Sequence, residues 1–439
     1  MNRTFLKSVI ISLTFILFKV AVFSQNITNE KMVEDLVLKQ TQQVITWRRH
    51  LHQYPELSNR EFGTMAYISK QLKEMGIPHE TGMAYTGVVA VLDTGKPGPT
   101  IGLRADMDGL PVKERVDLPF ASKVESEYQG EKVSVMHACG HDAHVAILLG
   151  VASILQKLRH QLTGKIIFVF QPAEEGAPMG EEGGAQLMIK EGLMEKYGIE
   201  VIFGLHVSSM LSTGKLSVRP RSLMASADMF DIKVKGKQTH GSRPWDGVDP
   251  ITTSAQIILG LQTIVSRQLD LTESSAVISV GKISGGVRNN IIPEEVNMQG
   301  TIRTLDTAMQ TEIHAKIKHT VRFIAESAGA TAEVNIRRGY PVTYNNPLLF
   351  NQMLPSLETV VGEKNVHIIN PITWAEDFSF YAQKVPGLFY FLGVKPPDWD
   401  INQTTLHHTP DFYVDETAFP IGIKSLLQLV FDYQIAYKP

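Results

Sequence analysis

Cys139 is the only cysteine among 439 residues, so the chain cannot staple itself with an internal disulfide. Charge of one sign is missing too. The net charge is −3 and no run of five or six like charges occurs, so the sequence carries no nucleic-acid footprint and no charged tail. Several signatures are absent: a Walker A loop, G-x-G-x-x-G after a strand, an H-E-x-x-H helix and a G-x-S-x-G elbow. Their absence argues against the commonest nucleotide-binding, zincin and serine-hydrolase readings.

The first residues, "MNRTFLKSVIISLTFILFKVAVFSQNITNE", stand apart. Arg3 and Lys7 give a positive start, an apolar run follows from Ser8 to Phe18, and Lys19 breaks it. That run is shorter than the ~20 residues a membrane span needs. The layout is that of a secretory signal over residues 1–24, with Val22 and Ser24 at the small-residue positions before cleavage. The expectation is an exported protein, periplasmic or secreted, with no stable membrane anchor. In such a protein a lone thiol is either buried and inert or held by something else, such as a metal.

What is present looks like an ordinary globular protein, 43% hydrophobic and 20% charged. The length exceeds what one hydrophobic core usually supports, so two domains are expected. Short apolar runs, "TIGLRAD", "KIIFVFQP", "EVIFGLHV" and "GLFYFLGV", read as buried strands. Helix-like stretches such as "VAILLGVASILQKLRH" separate them, which predicts an α/β fold with a mostly parallel sheet. The middle of the chain has another rhythm. "ADMFDIKVKGKQ" alternates apolar and polar residues, and the order strand, helix, strand, strand, helix, strand follows. This predicts a ferredoxin-like domain over residues 222–339, inserted into a catalytic domain formed by 25–221 and 340–439.

Polar clusters sit just after the apolar runs: "RADMDGLP", "QPAEEG", His206 in "GLHV", and "LHHTP". In an open α/β sheet such strand ends converge on one site. "VMHACGHDAHVAILLG" adds Cys139 and His141 on either side of Gly140, before a helix expected to begin near Asp142. Together these supply Cys, His, Glu, His and His, a donor set suited to one or two transition-metal ions. Glu174 and Glu175 are adjacent, and in an extended segment they would point to opposite sides, one as a ligand and one free as a base. His407 and His408 read by default as a surface loop, and His50 and His52 as ordinary helix residues. Cys139 stays open between metal ligand, nucleophile with His141 as its base, and inert buried thiol.

"GLRADMDGLP", "MHACGHDAHVA", "QPAEEG", "GLHV", "GKQTHGSRPWDGVDPI", "GGVRNNIIP", "GTIRT", "WAEDFSFY" and "LHHTPDFYVDE" occur in that order. Across nearly all of the chain after residue 24, this set resembles the two-metal zinc-peptidase family of aminoacylase, acetylornithine deacetylase and glutamate carboxypeptidase. More narrowly it is similar to the amidohydrolase branch with hippurate hydrolase and auxin–amino acid conjugate hydrolases. The resemblance implies two divalent metal ions bound by Cys139, His141, Glu175, His206 and His408, the last preferred because it lies two residues before Pro410. It implies Glu174 as general acid/base and the inserted domain as a lid that often mediates dimerisation, so a homodimer is an expectation. In the lid it implies an oxyanion-stabilising role for His240, which in related enzymes can come from the partner subunit. Asn290 and Arg303 are implied as substrate-binding residues, Arg303 by pairing with a carboxylate. Glu376 and Asp377 match a motif near the metals without an assigned role. His137 and His144 are expected to make supporting hydrogen bonds.

The function implied is metal-dependent hydrolysis of the amide bond of N-acyl amino acids, hippurate-like or N-acetyl. The alternative is a carboxypeptidase or dipeptidase using the same site. A thiolate, imidazole and carboxylate set accepts Zn or Mn, and also Co or Ni. A non-catalytic binding protein on the same fold is the competing reading from another class, and intact Glu174 with all five ligand positions argues against it.

Overall fold

The computed structural model describes residues 31–437, so the export signal expected over residues 1–24 lies outside the described residues. Eight strands form one sheet, in the spatial order His79–Met83, Gly87–Asp93, Lys165–Gln171, Thr100–Asp106, Val201–Ser212, Gly387–Lys395, Leu216–Val218 and Val366–Ile368. The four strands from Lys165–Gln171 to Gly387–Lys395 run parallel. The two before them are antiparallel, and Leu216–Val218 reverses direction again. The fold is therefore α/β with a mostly parallel central sheet. The inner strands are buried on both faces, as "KIIFVFQ" and "GLFYFLGVK" require with almost no polar interruption.

The helix His141–Lys157 is buried at every position from His141 to Leu155. A helix apolar all round must be covered on all sides. It is wedged between the sheet and two outer helices, one over residues 31–53 and one over Phe419–Ala436. Gly150 allows that close approach, since a Cβ there would lie 2.7 Å from Val44 Cγ2.

A second sheet has four antiparallel strands in the order Ala276–Gly285, Glu295–Thr304, Ala227–Lys235 and Thr331–Tyr340. Phe230, Ile232 and Val234 alternate inward and pack on the helices Pro250–Gln268 and Thr307–Ser327. Asp249 and Asp306 cap these helices by accepting backbone N–H groups. The chain enters this unit after Arg221–Met224 and leaves it before Thr343–Asn345, and those two segments pair antiparallel. Among the described residues, no helix is long and apolar enough to cross a membrane.

Candidate metal centre

The parallel strands end at one place. Asp106 closes the central strand and Asp108 follows it, Gln171 closes the neighbouring strand two residues before Ala173, and His206 lies within Val201–Ser212. Cys139 and His141 arrive from the start of the buried helix. Gly140 makes that turn possible. Its φ is +96°, and a Cβ there would lie 2.3 Å from Val207 Cγ2.

Five side chains converge. Cys139 Sγ lies 3.4 Å from His206 Nε2 and 3.3 Å from His408 Nε2, and His408 Nε2 lies 3.1 Å from Glu175 Oε1. Cys139, His141 and His206 form one group with donor atoms within 4.8 Å of one another, and Cys139, Glu175 and His408 form a second that shares the thiol. Metal–sulfur and metal–nitrogen bonds of about 2.3 and 2.0 Å at tetrahedral angles separate donors by about 3.5 Å. The observed spacings fit that value.

The tautomers fit as well. His206 Nδ1 donates to the Val207 carbonyl at 2.7 Å, which leaves the Nε2 lone pair facing the thiol. Burial and the neighbouring His144 and His407 hold the His206 ring well below its ordinary pKa, so it is neutral. His141 Nδ1 donates to Asp108 at 3.1 Å, while its buried Nε2 has no hydrogen-bond partner and points at the shared space. Burial disfavours a charged His141, but Asp106, Asp108 and Glu175 outweigh it and raise its pKa to about 10. Burial pushes the Cys139 thiol well up, with Glu175, Glu174 and Asp106 adding to the shift. A thiol surrounded by carboxylates becomes a thiolate only beside positive charge, which is what a pair of divalent cations provides.

Two further histidines lie in the neighbourhood. His144 Nδ1 donates to Asp106, and its Nε2 accepts from Val207 N at 2.9 Å. His407 accepts from Ser209 N through Nε2 at 3.3 Å and its Nδ1 stands 3.8 Å from Cys139 Sγ, farther than His408 Nε2, which alone of the two also faces Glu175. His144 thus makes the supporting bonds expected of it. His137 does not, because neither ring nitrogen has a partner, and burial lowers its pKa to about 4. His52 is more than an ordinary helix residue. It is buried in an ion cluster behind the helix start, with Nδ1 2.7 Å from Asp142 and Nε2 3.0 Å from Glu114, and Arg48 beside it.

Glu174 and Glu175 correct one expectation. They lie in a turn, not in an extended segment, and do not point to opposite sides. Glu174 Oε2 and Glu175 Oε1 are 3.8 and 3.9 Å from the same His141 Nε2. The reason is Ala173, a non-glycine residue at φ +53°. That conformation costs about 1–2 kcal/mol and swings both carboxylates inward. Three backbone N–H groups of the turn are bound by buried carboxylates: Ala173 N by Glu61 at 2.9 Å, Glu174 N by Asp108 at 3.1 Å and Glu175 N by Asp108 at 3.0 Å. Burial, then Glu376, Glu175 and Asp377, hold Glu174 well above the usual carboxylate range. Cations beside it would offset that rise and favour the ionised carboxylate, the form that can accept a proton.

Beneath Glu174, the fully buried Arg104 donates to Asp106 at 2.6 Å, Glu376 at 2.8 Å and Asp377 at 2.7 Å. Glu376 and Asp377 therefore hold the floor of the site, and the guanidinium supplies the cation of that acidic cluster. Glu61 escaped the sequence reading, while Arg104, Asp106 and Asp108 entered it only as part of the cluster "RADMDGLP", without individual roles. The position of "RADMD" at a strand end was the one visible signal for those three.

A cavity of about 430 Å³ opens over these groups. Its walls include Cys139, Glu174, His408, Trp374 and Phe391, and Arg303 reaches it from the four-stranded sheet. Arg303 is half-buried, and its Nη1 has no hydrogen-bond partner. His240 and Asn290 are not brought to this cavity. They sit exposed beside the Thr239–His240 and Ile291–Ile292 ribbon.

The sequence model of peptidase family M20/M25/M40 matches residues 102–432. The chain belongs to that family. It is 40% identical over 384 residues to thermostable carboxypeptidase 1 of Saccharolobus solfataricus, covering 86% of this chain and 92% of the relative. It is 39% identical over 380 residues to the N-acetyl-L-cysteine deacetylase of Bacillus subtilis, covering 86% and 84%. Among solved structures it is similar to the Bacillus subtilis YxeP protein, described as a dinuclear metal-binding peptidase of family M20. There the TM-score is 0.76 at 32% identity, covering 90% of this chain and 99% of that one. The chain is thus an M20 hydrolase, and its donor groups suit two divalent metal ions.

Proposed function

We propose that this M20 hydrolase cleaves the amide bond of N-acyl amino acids, with Cys139, His141, Glu175, His206 and His408 as ligands of two divalent ions and Glu174 as general acid/base. The observation that carries the reading is the shared thiol. Cys139 belongs to both donor groups, and Glu174 lies beside them with its proton affinity raised. When bound, the cations supply Lewis acidity toward a water and toward the amide carbonyl. Glu174 takes a proton from the attacking water and delivers it to the leaving nitrogen. Arg303, which lines the cavity and whose buried Nη1 has no hydrogen-bond partner, pairs with the substrate carboxylate. The products are a carboxylic acid and an amino acid.

His240 and Asn290 are proposed to act from the partner subunit of a homodimer, with residues 222–339 as lid and contact surface, since the cavity of one chain does not include them. Zn or Mn is proposed as the metal, and export through residues 1–24 follows from the charge and hydropathy of that segment. A carboxypeptidase or dipeptidase activity at the same site is the second reading, supported by the identity to the Saccharolobus enzyme. A metal assay joined to a panel of N-acyl amino acids and dipeptides tests the proposal. Hydrolysis of N-acyl amino acids is expected, lost on chelation and regained with Zn²⁺ or Mn²⁺. Hydrolysis that survives complete metal removal contradicts it, and a preference for dipeptides selects the second reading.

A further inference from the structure

Glu61 is buried to 0% exposure, and among the described residues no lysine or arginine pairs with it. Its carboxyl accepts two hydrogen bonds, from Ala173 N at 2.9 Å and from Thr86 Oγ1 at 2.6 Å. Burying a carboxyl without a cation is costly, and an apolar residue of similar size would serve packing better. What the carboxyl does is hold one amide. That amide belongs to the residue at φ +53° immediately before Glu174 and Glu175. The same short segment supplies Ser58 Oγ, which donates to Asp108 at 2.7 Å, and Asn59 Nδ2, which donates to the Glu182 carbonyl at 2.9 Å. Residues 58–61 thus clip both ends of the loop that carries the two glutamates.

We propose that Glu61 is a positioning residue for the hydrolysis, acting through Ala173: its hydrogen bond keeps the strained turn in the left-handed conformation that aims Glu174 and Glu175 at the metals. The inference rests on the roles given above to Glu174 and Glu175. It makes a specific demand on chemistry. The bond matters, not the charge, and a residue that adopts positive φ without strain should replace part of what the bond does.

The test uses the full chain with bound metal and four variants. Glu61→Asp keeps the charge but withdraws the carboxylate from Ala173 N by one methylene, and Glu61→Ala removes it. Glu61→Gln keeps an oxygen acceptor for Ala173 N and loses the charge. Ala173→Gly is combined with Glu61→Asp. Two readouts are taken: Zn²⁺ affinity by chelator competition, which needs no substrate, and kcat and KM on the best N-acyl amino acid. Glu61→Asp is expected to weaken Zn²⁺ binding about 10-fold and to lower kcat about 10-fold, with KM within about twofold. Glu61→Ala should fall at least as far, and if it does not fold, Glu61→Asp carries the test. Glu61→Gln should lose less than about threefold, and adding Ala173→Gly to Glu61→Asp should recover at least about threefold in both readouts.

Three results overturn the inference: wild-type Zn²⁺ affinity and kcat in Glu61→Asp, no recovery on adding Ala173→Gly, or a loss in Glu61→Gln equal to that in Glu61→Asp. If the Zn²⁺ affinities follow the expected pattern while the wild type hydrolyses no N-acyl amino acid or peptide, the functional reading fails and the positioning role of Glu61 stands.

Discussion

The two main sheets treat buried charge in opposite ways. At the ends of the parallel strands, Arg104, Asp106, Asp108, His141, Glu174, Glu376 and Asp377 are all buried and lean on one another. In the four-stranded unit between Ala227 and Tyr340, Asp228 is the only buried charged side chain among the described residues, and the other buried polar ones, Thr253, Ser254, Thr304 and Gln310, are uncharged. Buried charge is destabilising unless it is paired, so a cluster of this size marks the place where stability is set against chemistry. The four-stranded unit carries no such cluster and reaches the site with Arg303 from its open face.

The largest effect should come from breaking the turn that presents the thiol. Gly140→Ala combines a Cβ clash with Val207 and an unfavourable φ, and should cost turnover about 100-fold or more together with bound metal. Full metal content and normal turnover in the purified variant would break the comparison at its centre. Next is Asp108→Ala. This carboxylate orients His141 and binds the amides of Glu174 and Glu175, so its loss should weaken metal affinity about 10- to 100-fold, read by chelator competition.

On the other sheet the effects should be separable from metal. Arg303→Ala should lower kcat/KM about 10- to 100-fold, the size expected for one charge-assisted hydrogen bond, with metal content and Tm unchanged. A matching fall in metal content would show that Arg303 belongs to the centre itself.

The smallest effect concerns Asp228. Burial raises its pKa, but hydrogen bonds from His314, Gln310 and Gly339 N outweigh that and hold it below the usual carboxylate value. A depressed pKa in the folded state gives stability that is full above the unfolded value near 3.9 and is lost as pH falls through the folded value. Asp228→Asn should therefore lower Tm at pH 7 and flatten the loss of Tm between about pH 5 and pH 3. A variant as acid-sensitive as the wild type would remove Asp228 from that account.

Much of the parallel sheet was legible because fully buried strands read as unbroken apolar runs, and "TIGLRAD", "KIIFVFQ" and "GLFYFLGV" are such runs. The strands Leu216–Val218 and Val366–Ile368 were not, because three residues carry too little pattern. At the site, the clustering of Cys139 and His141 could be read from one short stretch. The turn at Ala173 could not, because nothing about alanine announces a positive φ, and the carboxylates that hold it come from residues 61 and 108. Arg104 reads as one charge ending a strand, and only the fold shows it lying between Asp106, Glu376 and Asp377. Both histidines of the pair face the thiol, His407 Nδ1 at 3.8 Å and His408 Nε2 at 3.3 Å, and His408 is set apart by its 3.1 Å contact with Glu175.

The central claim is that two metal ions and Glu174 together perform the hydrolysis. Glu174→Gln tests it most directly, with metal content and turnover measured on the same preparation. The account predicts two divalent ions per chain, as in the wild type, and a turnover lower by about 10²- to 10⁴-fold. Wild-type turnover in a fully metal-loaded Glu174→Gln protein would contradict it.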